Sequence, residues 1–211
     1  VIALRAGIPE HVPAITVHRN CASGFESVTV AHQKMCAGKG EIFIVGGTES
    51  MSQYPLIYNN QAVKKYARLA KARTLMQKLS VASSFRPSDF APKIALLLGL
   101  KDPYSGMGMG HIAELMAREA DISREEQDQF ALDSHLKTIA AFDKLADEIV
   151  PVYVPPKFET VMVQDNGPRE NQTREALAKL RPVFEKPTGT VTAGNSSQVT
   201  DGAVALLVMS E

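Results

Sequence analysis

Cys21 has the best setting for chemistry in this sequence. It lies in His18-Arg19-Asn20-Cys21-Ala22-Ser23-Gly24, between a short β-branched run and an apolar pattern of helical period. Amides at a helix N-terminus stabilise a thiolate, so a cysteine at such a junction is a candidate nucleophile. Ala22, Ser23 and Gly24 are small and let a substrate approach the backbone. A buried cysteine that only packs fits the same position, and position alone leaves both readings open. Cys36 stands fifteen residues further on. On one continuous helix that is roughly 22 Å away, too far to share a site or a disulfide. Core packing is the expectation for Cys36.

Other reactive residue types form no constellation. His11, His32, His111 and His135 lack metal-ligand spacing and read as surface or structural histidines, so no metal is expected. His18 ends the run before Cys21, and position gives it no role. The glycine-rich stretch Gly99–Gly110 has neither the GxxxxGK[ST] nor the GxGxxG register, and is expected to be a flexible loop lining a ligand cleft.

Elements must place these residues. Val12–Val17 reads as a buried strand, and Phe25, Val28, His32 and Met35 as one face of a helix ended by Gly38. Ile42–Val45 reads as a second strand stopped by Gly46-Gly47, so strand, turn, helix and strand suggest a βαβ unit of an α/β fold. Lys64, Lys65, Arg68, Lys71, Arg73 and Lys78 fall in what reads as one helical stretch, and no acidic residue occurs between Glu49 and Asp89. Ser123-Arg124-Glu125-Glu126 is a capping box, with Phe130, Leu132, Leu136 and Ile139 on the apolar side of its helix. Ile149–Val154 and Val161–Val163 read as strands, Thr173–Leu180 as a short helix, Thr188–Ser197 as a loop and Ala203–Met209 as a buried strand.

Composition excludes several classes. At 211 residues, 45% hydrophobic and 22% charged, the chain has the make-up of an ordinary soluble globular protein. Its net charge of zero gives no general attraction to nucleic acid. Two cysteines make no disulfide framework and point to a reducing compartment. No apolar run reaches the roughly 18 residues of a spanning helix. Val1 opens the chain without a charged leader or an initiator methionine, as if inside a helix, and a fragment is expected.

Several motifs together carry a family resemblance. Asn20-Cys21-Ala22-Ser23-Gly24 resembles the thiolase nucleophile motif, and Gly46-Gly47-Thr48-Glu49-Ser50-Met51-Ser52 resembles the segment after the next thiolase strand. Arg169, Thr173, Leu180-Arg181-Pro182-Val183-Phe184, Gly189–Ser197 and Asp201-Gly202-Ala203 match a long thiolase signature in order and spacing. The sequence is identified as an N-terminal part of the thiolase family. Its basic segment through Lys71-Ala72-Arg73-Thr74 most resembles the β-subunit thiolases of fatty-acid β-oxidation complexes.

The resemblance implies a thiolase fold: an incomplete, layered α/β N-terminal core domain over 1–51 and 200–211, with a lid domain inserted over 52–199. It implies a 3-ketoacyl-CoA thiolase that transfers an acyl group to coenzyme A through a thioester on Cys21. Coenzyme A is then a substrate, and no cofactor is required. By matching positions, Leu100 and Met109 would line the pantetheine channel, Arg169 would lie near the nucleotide, and Ala193 and Ser197 would border the pantetheine arm. Gly108 stands where many short-chain thiolases have histidine, which fits the long-chain subfamily better. The Gly-His-Pro and Cys-x-Gly motifs that complete thiolase sites do not occur here, so the chain alone is expected to be inactive. Two alternatives stand: a biosynthetic acetoacetyl-CoA thiolase, or a thiolase-like protein that binds acyl-CoA without turnover. The resemblance further implies a homo-oligomer, an α subunit as partner, and a bacterial cytoplasmic or mitochondrial-matrix location. The basic stretch 62–79 adds peripheral contact with an anionic membrane.

Overall fold

In chain order the helices and strands are α1 (Ile2–Arg5), α2 (Ser23–Cys36), β1 (Ile42–Ser50), β2 (Leu56–Ile57), α3 (Asn60–Lys71), α4 (Leu75–Ala82), β3 (Lys93–Ile94) and α5 (Ala95–Gly99). Then follow α6 (Met109–Glu119), α7 (Arg124–Ala140), α8 (Phe142–Leu145), β4 (Val152–Tyr153), β5 (Val161–Met162), α9 (Arg174–Ala178) and β6 (Asp201–Met209). The computed structural model describes every residue from Val1 to Glu211. They form two compact units, Val1–Gln53 with Thr200–Glu211, and Tyr54–Val199.

In the first unit β1 and β6 pair antiparallel, from Ile42 opposite Met209 to Ser50 opposite Asp201. The strand runs straight through Gly46-Gly47 instead of stopping there. A side chain at Gly46 would put its Cβ 2.2 Å from the Val204 carbonyl oxygen, so glycine here serves close approach inside a ladder. Helix α2 lies on β1 with Ala31 buried and Val28 and Met35 half-buried, while Phe25 is 84% exposed. Gly38, at φ 65, follows its C-terminus as expected.

Two strand expectations change. Val12–Val17 forms no strand: a strand exists only against a neighbour, and this segment has none, the sheet of the first unit consisting of β1 and β6. The expected βαβ arrangement is therefore replaced by a helix on an antiparallel pair. Strand β6, expected to be buried, exposes Val204, Leu206, Leu207 and Met209, since one helix on a two-stranded ribbon covers little of it. Asp201 opens β6 with a carboxylate that accepts from the amide of Ser52 at 2.9 Å and from its hydroxyl.

The second unit holds two side-chain clusters, each built on a buried carboxylate. In the first, Lys65 on α3 donates to Asp89 at 2.6 Å and to the Ser84 carbonyl at 2.7 Å. Around it Tyr58, Tyr66, Phe85 and Phe90 stack edge to face or in parallel. The basic stretch expected as one helix is two. Thr74 and Gln77 form a capping box that starts α4 afresh after Ala72 leaves the helical region.

The second cluster joins α6, α7, α9 and the segment Gly189–Ser197. Ser123 caps α7 as expected, with Glu126 returning a bond from 2.8 Å. Leu177, Thr192 and Val191 are buried beside two carboxylates, Glu114 and Asp128. Glu114 accepts from the amides of Thr190 (2.8 Å) and Val191 (3.0 Å) and from the Thr190 hydroxyl (3.0 Å). Burial alone would raise its pKa. The Thr190 and Val191 donors, helped by the charge of Arg118, outweigh burial and hold it below the usual value.

The direction of that shift fixes a pH dependence. Glu114 titrates lower when folded than when unfolded, so its contribution to stability is complete above its ordinary pKa of 4.5 and is lost as pH falls through the folded value. Asp89 behaves alike, mainly through its bond from Lys65 and then the Arg86 amide. The melting temperature should therefore fall on acidification below pH 4.5. Glu114→Gln should lower it at neutral pH and reduce the drop between neutral and acid. A drop as large in the variant as in the parent, measured by thermal denaturation, counts against this role for Glu114.

Candidate active site

Cys21 occupies a tight turn that opens α2. Asn20, just before it, has a left-handed backbone (φ 47), a region few residues other than glycine enter and asparagine tolerates best. Ser23, the first helical residue, closes the turn: its hydroxyl donates to the Asn20 carbonyl (2.7 Å) and accepts from the Arg19 amide (2.9 Å). Arg19 also pairs with Glu26 at 3.1 Å, tying the turn to the helix. His18 Nδ1 lies 3.4 Å from the Asn20 amide, so its ring faces this turn. Cys21 is exposed beside the N-cap Ala22, whose side chain cannot cap the helix.

Cys36, expected to pack in a core, is instead exposed at the C-terminal end of α2. Its sulfur lies 3.6 Å from His32 Nε2, one helical turn back. With both thiols in solvent, exposure does not separate them.

In the second unit the remaining sequence-predicted positions hang on α6 and α7. Leu100 and Met109 face each other across the glycine-rich stretch, where the Met109 amide donates to the Leu100 carbonyl at 3.0 Å. The stretch, expected to be a flexible loop, is closed on itself. Asp102 donates its amide to the Met107 carbonyl and accepts from the Ser105 amide at 2.6 Å, and Lys101 bridges Gly108. Gly108 is the N-cap of α6, so the residue in the histidine position starts the helix that carries Glu114.

Arg169 is exposed, and its amide donates to His135 Nδ1 on α7 at 3.2 Å. Ala193 and Ser197 are exposed on the segment that Glu114 grips. That segment is also held from α7. Asn195 donates to Asp128 and to the Thr190 carbonyl (both 3.0 Å) and accepts from the Thr192 amide at 2.7 Å. Arg124 completes the arrangement with a bond to Asp128 (2.7 Å) and two more, to the Leu177 carbonyl at the end of α9 (2.7 Å) and the Leu180 carbonyl beyond it (3.1 Å). His135 and Asp128 are seven residues apart, two turns along one helix face, so α7 holds both the Arg169 and the Ala193–Ser197 segments.

Sequence reasoning gave no role to Glu114, Gln127 or Asp128, and it read Arg124 only within a capping box and Asn195 only within the family signature. The available signal was charge pairing at helical spacing, Glu114 with Arg118 and Arg124 with Asp128, on helices whose apolar stripes are thin.

The description "Thiolase, N-terminal domain" matches residues 1–211. The chain is 39% identical over 212 residues to a 3-ketoacyl-CoA thiolase of Pectobacterium carotovorum, covering 100% of the chain and 48% of that protein. It is 40% identical over 215 residues to a probable acetyl-CoA acyltransferase of Staphylococcus aureus, covering 100% of the chain and 50% of that protein. The chain thus spans about half the length of these relatives. Human mitochondrial 3-ketoacyl-CoA thiolase, solved in complex with CoA, is similar with a TM-score of 0.78 at 36% identity, over 100% of this chain and 48% of that one. The acetyl-CoA acetyltransferase of Syntrophomonas wolfei is similar with a TM-score of 0.78 at 33% identity, over 100% of this chain and 48% of that one. With the whole chain matched by the domain and by both relatives, it belongs to the thiolase family.

Proposed function

We propose that the protein carrying this chain is a 3-ketoacyl-CoA thiolase with Cys21 as its nucleophile. The observation that carries this is the exposed Cys21 in a turn braced by Ser23 and the left-handed Asn20, in a chain whose relatives bear that name. The Cys21 sulfur attacks the ketone carbon of a 3-ketoacyl-CoA. The bond between that carbon and the acetyl unit breaks, its electrons form the acetyl-CoA enolate, and the enolate takes a proton. The thiol of coenzyme A then attacks the Cys21 thioester, releasing the shortened acyl-CoA and restoring Cys21. A solved neighbour named as an acetyl-CoA acetyltransferase supports the reverse condensation of two acetyl-CoA molecules as a second reading.

The 52–199 lid expected from sequence is part of the proposal, supported by the compactness of Tyr54–Val199. So is coenzyme A contact by Leu100, Met109, Arg169, Ala193 and Ser197, supported by the CoA held in the human neighbour's structure. Homo-oligomerisation, an α-subunit partner and a bacterial cytoplasmic or mitochondrial-matrix location belong to the same reading. No helix is long and apolar enough to cross a membrane.

Peripheral membrane contact through 62–79 belongs to this reading as well, with the charge carried by fewer residues. Lys65 is tied to Asp89, which leaves Lys64, Arg68 and Lys71 as an exposed stripe on α3. The exposed Leu75, Met76 and Leu79 lie on α4.

Three outcomes test this reading. Incubation with a 3-ketoacyl-CoA, acid quench and peptide mass mapping should find the acyl group on Cys21 and none on Cys36. Acylation of Cys36 alone would reject Cys21 as nucleophile. Alkylation by iodoacetamide is a weaker criterion, because both thiols are exposed.

Arg169→Ala should raise KM for coenzyme A with kcat nearly unchanged, because a contact at the nucleotide end serves ground state and transition state alike. A fall in kcat with KM unchanged reverses that assignment.

Reversal of Lys64, Arg68 and Lys71 to glutamate should abolish salt-sensitive cosedimentation with anionic liposomes. Each basic residue contributes on the order of 1 kcal/mol near such a surface. Equal binding to neutral and anionic liposomes removes the electrostatic membrane reading.

A further inference from the structure

Thr190 joins the two helices that hold the Gly189–Ser197 segment. Its hydroxyl accepts from Gln127 Nε2 on α7 (3.0 Å) and donates to the Glu114 carboxylate on α6 (3.0 Å). Its amide donates to the same carboxylate at 2.8 Å, and its carbonyl accepts from Asn195 at 3.0 Å. Every polar atom of Thr190 is thus engaged, and the next two residues, Val191 and Thr192, are buried. The chain emerges at Ala193, and Ser196 and Ser197 are exposed beyond the Asn195 anchor. Ser196 donates back to the Thr192 carbonyl at 2.7 Å, so the exposed part is itself a closed turn.

This pattern does more than bury a loop. An apolar anchor would hold the segment without fixing its rotation, whereas donors and acceptors on three sides allow one backbone orientation. Glycine flanks the arrangement for steric reasons. A Cβ at Gly189 would lie 2.3 Å from Glu114 Oε1, and one at Gly194 would lie 2.5 Å from both Leu177 Cδ2 and Leu180 Cδ1. The segment therefore meets the helices at backbone distance at both ends.

We propose that Thr190 and Glu114 are positioning residues for coenzyme A: their hydrogen-bonded lock keeps the exposed Ala193–Ser197 turn in the one conformation that receives the pantetheine arm. This rests on the reading above that the turn contacts coenzyme A. Loosening the lock populates other conformations of the turn, and the apparent affinity falls by the fraction of molecules left competent. The bond-making chemistry at Cys21 is not touched directly, so turnover at saturating coenzyme A persists.

Thr190→Val removes the hydroxyl and keeps the shape, while Thr190→Ser restores it. The probe is coenzyme A itself, titrated calorimetrically into the full-length protein, with steady-state kinetics alongside. Thr190→Val should raise the Kd and KM for coenzyme A about tenfold, because losing both hydroxyl bonds, from Gln127 and to Glu114, takes the turn from mostly to seldom competent. Thr190→Ser should stay within about twofold of the parent, and kcat should change by less than about twofold in both. Glu114→Gln should weaken binding further, since its amide nitrogen would face backbone donors. Parent-like coenzyme A affinity in Thr190→Val, even with a lowered melting temperature, shows the lock to be scaffold only and overturns the inference. Equal loss in Thr190→Ser, or a fall in kcat at constant Kd, overturns it as well. If the parent binds no coenzyme A, the underlying reading fails, and the inference fails with it.

Discussion

The Glu114 carboxylate is the constraint on which the second unit turns. An ionised carboxylate that is 1% exposed is tolerable only if donors replace the water it has lost. Two backbone amides and a hydroxyl, all from Thr190 and Val191, do so. A side chain can satisfy amides of that segment only if the backbone arrives at one height and in one direction along α6. The demand for satisfaction thus becomes a positional instruction. Gly189 is its steric counterpart, because no side chain fits between the backbone and the carboxylate.

Helix α7 extends the same logic. Asp128 is 5% exposed and is neutralised from one side by Arg124 and bound from the other by Asn195. Arg124 also gives a second nitrogen to the Leu177 carbonyl in the last turn of α9 and to the Leu180 carbonyl just beyond it. One guanidinium therefore fixes a helix end, a buried acid and, through Asn195, the far end of the Gly189–Ser197 segment. Further along, His135 receives the Arg169 amide. A single helix thus carries bonds to both segments.

Elements written in local sequence were legible, and those needing a distant partner were not. Ser123 and Glu126 announce the start of α7 because both halves of a capping box lie within one turn. Gly38 marks the end of α2 for the same reason. The break between α3 and α4 carries an equally local signature in Thr74 and Gln77, masked by basic and apolar residues that keep their spacing across it. Val12–Val17 has strand composition, but composition supplies no neighbour to pair with. Gly46-Gly47 reads as a stop until the Val204 carbonyl is seen beside it. The Cys21 turn is legible in its small residues, whereas the Ser23 brace and the left-handed Asn20 are geometric facts. Least legible is the clasp itself, since Glu114 and Thr190 lie seventy-six residues apart.

Why a polar clasp stands where an apolar core would be more economical follows from what each controls. Replacing a buried charged network with well-packed apolar residues is often neutral or stabilising, so the clasp is poorly explained as a source of stability. Apolar contacts are non-directional and tolerate small rotations of a loop. The bonds around Thr190, Thr192 and Asn195 are directional and fail together if the segment turns. The segment itself offers little apolar surface, since Gly189, Thr190, Thr192, Ala193, Gly194, Asn195, Ser196 and Ser197 are small or polar. Its backbone amides and short polar side chains offer hydrogen bonds where apolar surface is scarce. A segment of small and polar residues is positioned by hydrogen bonds, and the acids on α6 and α7 accept several of them.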